Sequence, residues 1–466
     1  MQTQFARIKR IAAFSRTVAA LKIQVIASAC CLILLCASTP AHAQEQGEAA
    51  FDEAASKHKR ELRDLLQTRG LSLSSGLRIA TSKSIAARLK EGFPEGTALL
   101  FYDYDEPTLR VWVVGAEGIR AFQSLSVTHV QLKTAVTDFR NSLGVDSPQR
   151  GGSLRAPLNR RRVRVTSNVT PFDRAELKLT GVLMPPEIAS ASASAKHLIV
   201  VPVLEISAVP FALLRPFPQG ASGQFLIERM SVSVAPSLFD IGQQMVRKGT
   251  RMEQEGISQT WNPQFQRPLV VGNPLPLSDS FWEFRPLPGA QSEAVEVAKR
   301  LGVKDVLIGG NATKQSLAAK VEDADFLYLA THGIASSEKP LTESFLVLGA
   351  EKTDAGRWTA KEIQDAMLNA RLAVLSACST GLGQHHAAGT IGLARAFQKS
   401  GVPRVVMSLW DVEDTATSEL MLLFVENLKS RIPAEALRQA MLEYRKRHPK
   451  AHPSLWAAFT FFGTPR

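Results

Sequence analysis

Short apolar runs alternate with longer amphipathic stretches through the second half of the chain. Runs of the length and composition of buried strands occur at 198–203, 269–271, 326–330, 345–348, 372–377, 404–409 and 458–462. Apolar residues at helical spacing predict helices at 291–301, 313–322, 360–366, 389–399, 414–428 and 433–447. This alternation predicts an α/β fold, in which a mostly parallel sheet is flanked by helices on both faces. The alternating Ala-Ser run at 189–195 predicts a surface loop.

The pattern differs upstream, where 51–148 predicts a small α+β module. A charged amphipathic helix at 51–66 is followed by strands at 97–102 and 109–114, and the intervening Asp103 to Pro107 reads as a turn. A helix at 131–143 closes the module. The arginine-rich stretch 149–165 predicts a solvated linker, with the larger domain at 166–466. The linker's first residues, Gln149-Arg150-Gly151-Gly152-Ser153, are also a candidate site of self-processing, because flexible polar segments are readily cut.

The first 43 residues have the pattern of a secretory signal peptide. Five basic and no acidic residues precede an apolar run of about 15 residues, and Ala41-His42-Ala43 has the small-x-small pattern of a cleavage site. We expect cleavage after Ala43 and a periplasmic or secreted protein. The alternative is an uncleaved membrane anchor, although the apolar run is shorter than the roughly 20 residues that a span requires.

Composition and charge exclude several function classes. The net charge of +12 is partly concentrated in the basic linker, but no aromatic residues are interleaved there, so nucleic-acid binding is not expected. The sequence has no glycine-rich phosphate loop, paired-cysteine zinc motif or Gly-x-Ser-x-Gly element. We therefore expect neither a metal nor a cofactor, while a calcium requirement stays open.

Cys378 is the only cysteine after the predicted signal peptide. It lies in Ser-Ala-Cys-Ser-Thr-Gly (376 to 381), 46 residues after His332 in Tyr-Leu-Ala-Thr-His-Gly (328 to 333). A predicted strand precedes each motif, which places both at the carboxyl edge of the sheet. A nucleophilic thiol needs a base and donors for an oxyanion, and Gly333 lets the backbone approach a substrate. Taken singly, a buried cysteine or histidine is more often structural.

Several blocks, in order, resemble the CHAT family, the bacterial caspase-like cysteine peptidases of the caspase and separase clan. They are Leu-Ile-Val-Val-Pro (198 to 202), Val-Pro-Phe-Ala-Leu-Leu (209 to 214), Val-Gly-Asn-Pro (271 to 274), the two motifs above, Gly-Leu-Ala-Arg-Ala-Phe (392 to 397) and Ser-Leu-Trp-Asp-Val-Glu-Asp (408 to 414). The resemblance implies a cysteine endopeptidase with His332 as base and Cys378 as nucleophile, acting on a protein or peptide. The backbone at Gly333 and Cys378 would hold the oxyanion. The competing interpretation is a catalytically silent scaffold that serves as an envelope-associated interaction or regulatory protein.

Three departures from the family pattern leave specificity and regulation open. Ala388 stands where the family commonly has an acidic residue, and Ser376 stands where relatives that cut after basic residues have an aspartate. Asp411 and Asp414 are alternative substrate-binding acids, equally well explained as exposed loop carboxylates or helix caps. No 34-residue period is found, so we expect no tetratricopeptide repeats in this chain, in contrast to most members of the family. Activation is then expected from the small module, from a separate partner protein, or not at all.

Overall fold

The computed structural model describes residues 40–67, 80–145, 171–217, 223–241, 261–276, 284, 286–377, 384–386, 389–411 and 413–465. Residues 1–39 of the predicted signal peptide, the 149–165 linker, Cys378 and Ala388 lie outside these ranges. The chain divides into two units after Ala50. Of the first unit only the helical residues from Pro40 are described, and the second is Phe51–Arg466. None of the described helices is both long enough and apolar enough to cross a lipid bilayer.

Twelve α-helices are found in the described residues. They are α1 Pro40–Gln67, α2 Ser82–Gly92, α3 His129–Ser142, α4 Pro171–Leu183, α5 Pro186–Ser192, α6 Leu226–Arg229, α7 Pro288–Leu301, α8 Lys314–Val321, α9 Ala360–Asp365, α10 Leu393–Ser400, α11 Asp414–Leu428 and α12 Pro433–Arg447. The local sequence explains where several of these helices begin. The threonine side chains that accept the first free amides of four helices are Thr81, Thr128, Thr313 and Thr359.

Sixteen strands are found in the same residues. They are β1 Thr97–Asp105, β2 Thr108–Gly115, β3 Gly118–Ser126, β4 His197–Val201, β5 Ser231–Val234, β6 Pro268–Pro274, β7 Leu307–Gly309, β8 Phe326–Ala330, β9 Gly333–Ile334, β10 Phe345–Val347, β11 Arg357–Thr359, β12 Ala373–Ser376, β13 Gln384–His386, β14 Gly389–Ile391, β15 Val405–Ser408 and β16 Phe459–Phe462.

Eleven of these strands form one sheet in the order β3-β2-β1-β4-β5-β16-β15-β12-β8-β6-β7. The pairs β1–β2, β2–β3 and β15–β16 are antiparallel, and the other neighbours run parallel. Every residue of the central strands β8, β12 and β15 is buried, which requires cover on both faces of the sheet. The predicted fold class, an α/β protein with a mostly parallel sheet flanked by helices, is confirmed.

The predicted upstream module contributes its strands to this same sheet. Strand β1 pairs in parallel with β4 over Thr97–Phe101 and His197–Val201. Arg140 of α3 donates to the carbonyls of Ala208 and Leu409 at 3.0 and 3.1 Å, and its side chain is buried. The domain boundaries stay a prediction, and the structure adds that backbone and side-chain bonds join the two predicted parts.

A buried charged cluster lies where a turn was predicted. Strand β1 extends to Asp105, so Asp103 is a fully buried strand residue rather than part of the turn. His58 of α1 approaches Asp103 Oδ1 at 2.9 Å, and Arg110 of β2 donates from Nε to Oδ2 at 2.8 Å. The prediction was wrong because aspartate favours turns in general, whereas this aspartate has buried cationic partners.

Two other predicted elements also differ. The Ala-Ser run begins within α5, where Ile188, Ala189 and Ser192 are buried, because alanine favours helix and these small side chains fit against the sheet. The helix predicted from 389 begins at Leu393, since Gly389–Ile391 pairs with Gln384–His386 as a two-stranded ribbon.

Candidate active site

The segments that carry His332 and Cys378 follow two neighbouring parallel strands, and the ends of these strands lie opposite each other. Strand β8 pairs with β12, and Ala330 lies directly opposite Ser376. His332 and Cys378 each come two residues after this pair in the sequence. Adjacent strands lie about 4.8 Å apart, so chains that leave at the same register begin their loops side by side. Cys378 itself lies outside the described residues.

The backbone around His332 is held by two strands. The Thr331 amide donates to the Ser376 carbonyl at 3.2 Å, and the Thr331 hydroxyl donates to the Val347 carbonyl at 2.5 Å. The His332 carbonyl accepts from the Val347 amide at 2.9 Å. His332 therefore lies on a backbone segment that is hydrogen-bonded to β12 on one side and to β10 on the other. Its own side chain is half-buried, as access to a substrate requires.

Phe284 lies against the His332 ring. The two ring centroids are 5.4 Å apart at an interplanar angle of 40°, within the range of favourable aromatic contacts. Phe284 is buried in a cluster with Phe345 and Val347 of β10, which pack against it. The contact supports one face of the imidazole.

If the chain is a peptidase, Phe284→Ala is expected to lower kcat about tenfold with a smaller change in KM. A freed imidazole spends less time in the reactive geometry, and small misplacements of a catalytic group are costly. Steady-state kinetics on the folded variant would measure this effect. Phe284→Leu, which retains an apolar wall, should lose less. Equal kcat in Phe284→Ala and the parent would contradict a role for this contact.

The end of β12 is fixed by four contacts just before Cys378. The Ser408 hydroxyl of β15 donates to the Ala377 carbonyl at 2.7 Å. The Ser376 carbonyl accepts from Thr331, as described above, and the Ser376 hydroxyl is hydrogen-bonded to Glu293 and Tyr328. Neighbouring strands and α7 thus hold the two residues that precede the cysteine.

Helix α7 comes close to the sheet because of the Val-Gly-Asn-Pro block. A Cβ at Gly272 would lie 2.4 Å from the Ala294 side chain, so a larger residue would push the helix away. Asn273, with a positive φ of 44°, accepts from the Leu287 amide at 2.7 Å. These contacts fix the start of α7 on β6 and position Glu293 beneath the sheet edge.

Glu293 is a buried carboxyl at this edge, with 2% of its surface exposed. Tyr328 donates its hydroxyl to Glu293 Oε1 at 2.7 Å. Burial, together with the negative charge of Asp414, raises the pKa of Glu293 to about 7, although hydrogen bonds from Ser376 and Tyr328 act in the opposite direction. The carboxyl can therefore gain or lose a proton near neutral pH.

A cavity of about 40 Å³ lies beside these groups. That volume accommodates one or two water molecules but no large side chain. It is lined by Leu287, Ala290, Glu293, Thr331, Ser376, Ala377, Ser408, Asp414, Thr417 and Phe459. Among the described residues, no group of three or more His, Cys, Asp and Glu side chains is arranged to hold a metal ion.

The predicted site residues are only partly brought together. Ser376 and Asp414 line the same cavity, whereas Asp411 is exposed and is not one of the described residues lining it. Asp414 is the first residue of α11, and the cap position is Glu413 rather than either aspartate. Gly333 is buried in β9, opposite Leu346 of β10. The roles assigned to these residues stay predictions.

Sequence reasoning missed Glu293, Tyr328 and Phe284. A signal existed for Glu293, because it shares the helical face of Ala290, Ala294 and Val297 and is the one charged residue among them. Tyr328 was visible only as part of an apolar strand. Phe284 follows no periodic pattern, since its place beside His332 results from the fold.

The family model of the CHAT domain matches residues 174–464, more than half of the chain. The chain belongs to the CHAT domain family. The resemblance noted in the sequence is thereby confirmed. This match supports a cysteine-peptidase type of domain.

Curated relatives of this CHAT protein share its sequence over a long stretch. Tetratricopeptide repeat protein 28 of Mus musculus is 26% identical over 358 residues, which cover 69% of this chain and 14% of that protein. The Homo sapiens protein of the same name is 28% identical over 304 residues, covering 58% of this chain and 12% of that protein. The chain spans well under a fifth of the length of these relatives.

A solved structure of the Saccharomyces cerevisiae separase–securin complex is similar to this CHAT protein with a TM-score of 0.49 and 10% identity. The match covers 82% of this chain and 30% of that one.

The partner prediction requires correction. It set this chain apart from tetratricopeptide-repeat proteins, and this was wrong, because both curated relatives are tetratricopeptide repeat proteins. A search for a 34-residue period examines one chain's own residues and carries no information about what accompanies the same domain in its relatives.

Proposed function

We propose that this CHAT protein is a cysteine endopeptidase that hydrolyses protein substrates with His332 and Cys378. The observation that carries the proposal is the pairing of Ala330 with Ser376, two residues before each motif residue. His332 and Cys378 each follow a strand end by two residues in the sequence, and those strand ends are paired, so their loops begin side by side. The family match over 174–464 supports the same chemistry.

The proposed reaction proceeds through a thioester. His332 takes the proton of the Cys378 thiol, and the sulfur attacks the carbonyl carbon of the scissile peptide bond. Backbone amides at Cys378 and Gly333 stabilise the oxyanion. The carbon–nitrogen bond then breaks, and the leaving amine takes the proton from His332. A water molecule that His332 deprotonates hydrolyses the thioester and regenerates the thiol.

Two further parts of the proposal concern location and processing. The pattern of residues 1–43 supports secretion to the periplasm or beyond, with membrane anchoring as the alternative. The segment 149–153, at the start of the basic linker, is proposed as a site of self-processing. Fragments that form equally from the parent and from Cys378→Ala would contradict self-processing.

The test is cleavage of a diverse peptide library by the purified chain under reducing conditions, with and without calcium. We expect cuts in the parent that are reduced at least about a thousandfold in Cys378→Ala. Cys378→Ser is the matched control, because it retains size and a weaker nucleophile. Absence of cuts, together with slow alkylation of Cys378 measured on its peptide by mass spectrometry, would overturn the proposal in favour of a catalytically silent CHAT scaffold.

A further inference from the structure

Glu293, Tyr328 and Ser376 form a buried hydrogen-bonded group that the proposed reaction does not use. Their exposed fractions are 2%, 0% and 8%. A carboxyl that leaves water is costly unless a cation or several hydrogen bonds compensate. Here the compensation comes from hydroxyl groups, at the point where β12 ends and the cysteine motif continues.

The charges around Glu293 come from few elements. Tyr328 faces it from β8 and Asp414 acts on it from the start of α11, while β12 contributes the neutral hydroxyl of Ser376. Strand β6 faces α7 through Gly272, which is uncharged. The described groups that influence the carboxyl are thus two hydroxyls and one further carboxylate. Burial favours the protonated form of Glu293, and the hydrogen bonds from the two hydroxyls favour the ionised form.

We propose that Glu293 is a positioning residue that, as a carboxylate, holds the Ser376 hydroxyl and so fixes the end of β12 for catalysis, and that its protonation loosens this edge. The inference rests on the proposed function, since it assigns a form of regulation to the same site.

The chemical basis is a reversal of hydrogen-bond direction. An ionised carboxylate accepts from Tyr328 and from Ser376, and bonds to a charged acceptor are shorter and stronger than neutral ones. When Glu293 gains a proton, one oxygen becomes a donor. Tyr328 donates to Oε1, so Oε2 is the oxygen open to protonation, and a Ser376 hydroxyl bonded at Oε2 would then turn from donor to acceptor or lose the bond.

The change at Ser376 reaches both motifs. Its carbonyl accepts from the Thr331 amide, directly before His332, and it lies two residues before Cys378. Ser408 separately anchors the Ala377 carbonyl at 2.7 Å. Among Glu293, Ser376 and Ser408, Glu293 is the residue whose charge changes with pH. It can therefore couple the arrangement of both motifs to pH.

The variant that tests the proposal is Glu293→Gln, which retains shape and hydrogen bonding but cannot ionise. In the parent we expect the cleavage rate to rise with pH through a midpoint near 7, the value to which the pKa of Glu293 is raised. In Glu293→Gln the rate at pH 8 should fall about tenfold, and this acid limb should disappear. A purely structural role would lower the rate without changing the shape of the profile.

Two controls separate titration from general disturbance. Ser408→Ala removes the Ala377 contact without touching a titratable group, so it should lower the rate and leave the profile unchanged. Glu296→Gln alters a half-exposed carboxyl on the same helix, paired with Arg300, and should leave both rate and profile unchanged. A changed profile in either control would overturn the assignment to Glu293.

A readout without catalysis keeps this inference separate from the proposed function. A buried acid whose pKa is raised binds its proton more tightly in the folded state, so the free energy of unfolding falls as pH rises from about 4.5 to 7. In a Cys378→Ala background this fall should vanish with Glu293→Gln. Its midpoint should move up with Tyr328→Phe, which removes a donor, and down with Asp414→Asn, which removes a negative charge.

The outcomes are distinguishable. If the parent cuts no peptide, the pH profile of Cys378 alkylation replaces turnover, and its acid limb should again depend on Glu293. If Glu293→Gln abolishes the pH dependence of unfolding but retains the parental profile of cleavage and alkylation, the carboxyl titrates without positioning β12 and the inference is wrong.

Discussion

Replacing His332 with alanine is expected to reduce kcat/KM for the best library peptide about a thousandfold at pH 7.5. The histidine is proposed both to remove the thiol proton and to protonate the leaving amine, and a positioned acid–base group typically contributes 10²- to 10⁴-fold. The backbone that carries His332 is bonded to β10 and β12 independently of its side chain. The variant should therefore fold, and the loss should lie in chemistry rather than in assembly.

Alkylation of Cys378 gives the same test without a peptide substrate. A thiol paired with histidine reacts as thiolate below neutral pH, whereas an unassisted thiol titrates near 8.5. Labelling at pH 6.5 should slow about 10- to 100-fold in His332→Ala. His448→Ala is the control, since this exposed histidine follows α12 and pairs with Glu419. Unchanged labelling in His332→Ala would refute its role as base.

Asp103→Asn is expected to lower the free energy of unfolding by about 3 kcal/mol, because it leaves buried cations without their counter-charge. Burial alone would raise the pKa of Asp103, but the hydrogen bond from His58 and the positive charges of His58, Lys57 and Arg110 outweigh it and hold the pKa at about 2. That displacement from the ordinary value of 3.8 corresponds to about 2.5 kcal/mol. Chemical denaturation of parent and variant at pH 7 would measure the difference.

The pH dependence has a definite sign. A carboxyl whose folded pKa is depressed stabilises the fold above its unfolded pKa, and this stabilisation is lost as the pH falls. The difference between parent and Asp103→Asn should therefore be constant above about pH 5 and shrink between about pH 4 and 2. Asp105→Asn is the matched control, with an exposed side chain 3.8 Å from Lys57, and should change stability by less than about 0.5 kcal/mol. An equal loss in both variants would contradict the cluster's importance.

Elements with strong local signals were predicted closely from the sequence. The bounds of β8, α11 and α12 agree with prediction, since β8 is a continuous apolar run and α12 begins at Pro433, where proline favours a first helical turn. Prediction failed where distant contacts decide. Asp103 is in a strand because it pairs with Arg110 of β2, with His58 as a buried partner of its side chain. Gly389–Ile391 is in a ribbon because it pairs with β13.

At the candidate site, too, residues in local motifs were predicted, whereas residues placed by distant contacts were not. His332 and Cys378 stand out in sequence because each follows an apolar run in a distinctive motif. Their supporting residues are not marked in this way. Phe284 approaches His332 from a segment almost 50 residues away, and Glu293 reaches Ser376 only because Gly272 lets α7 pack closely on the sheet. Such contacts depend on the packing of elements rather than on any local pattern.

The parallel pairing of β1 with β4 has a consequence for any proteolytic cut between Val145 and Pro171. Those residues separate the two strands in sequence, but the hydrogen bonds between Thr97–Phe101 and His197–Val201 do not depend on them. Arg140 adds side-chain bonds to Ala208 and Leu409. A nicked molecule would therefore migrate as two polypeptides under denaturing conditions and as a single particle under native ones, so maturation at this point would not by itself release the upstream fragment.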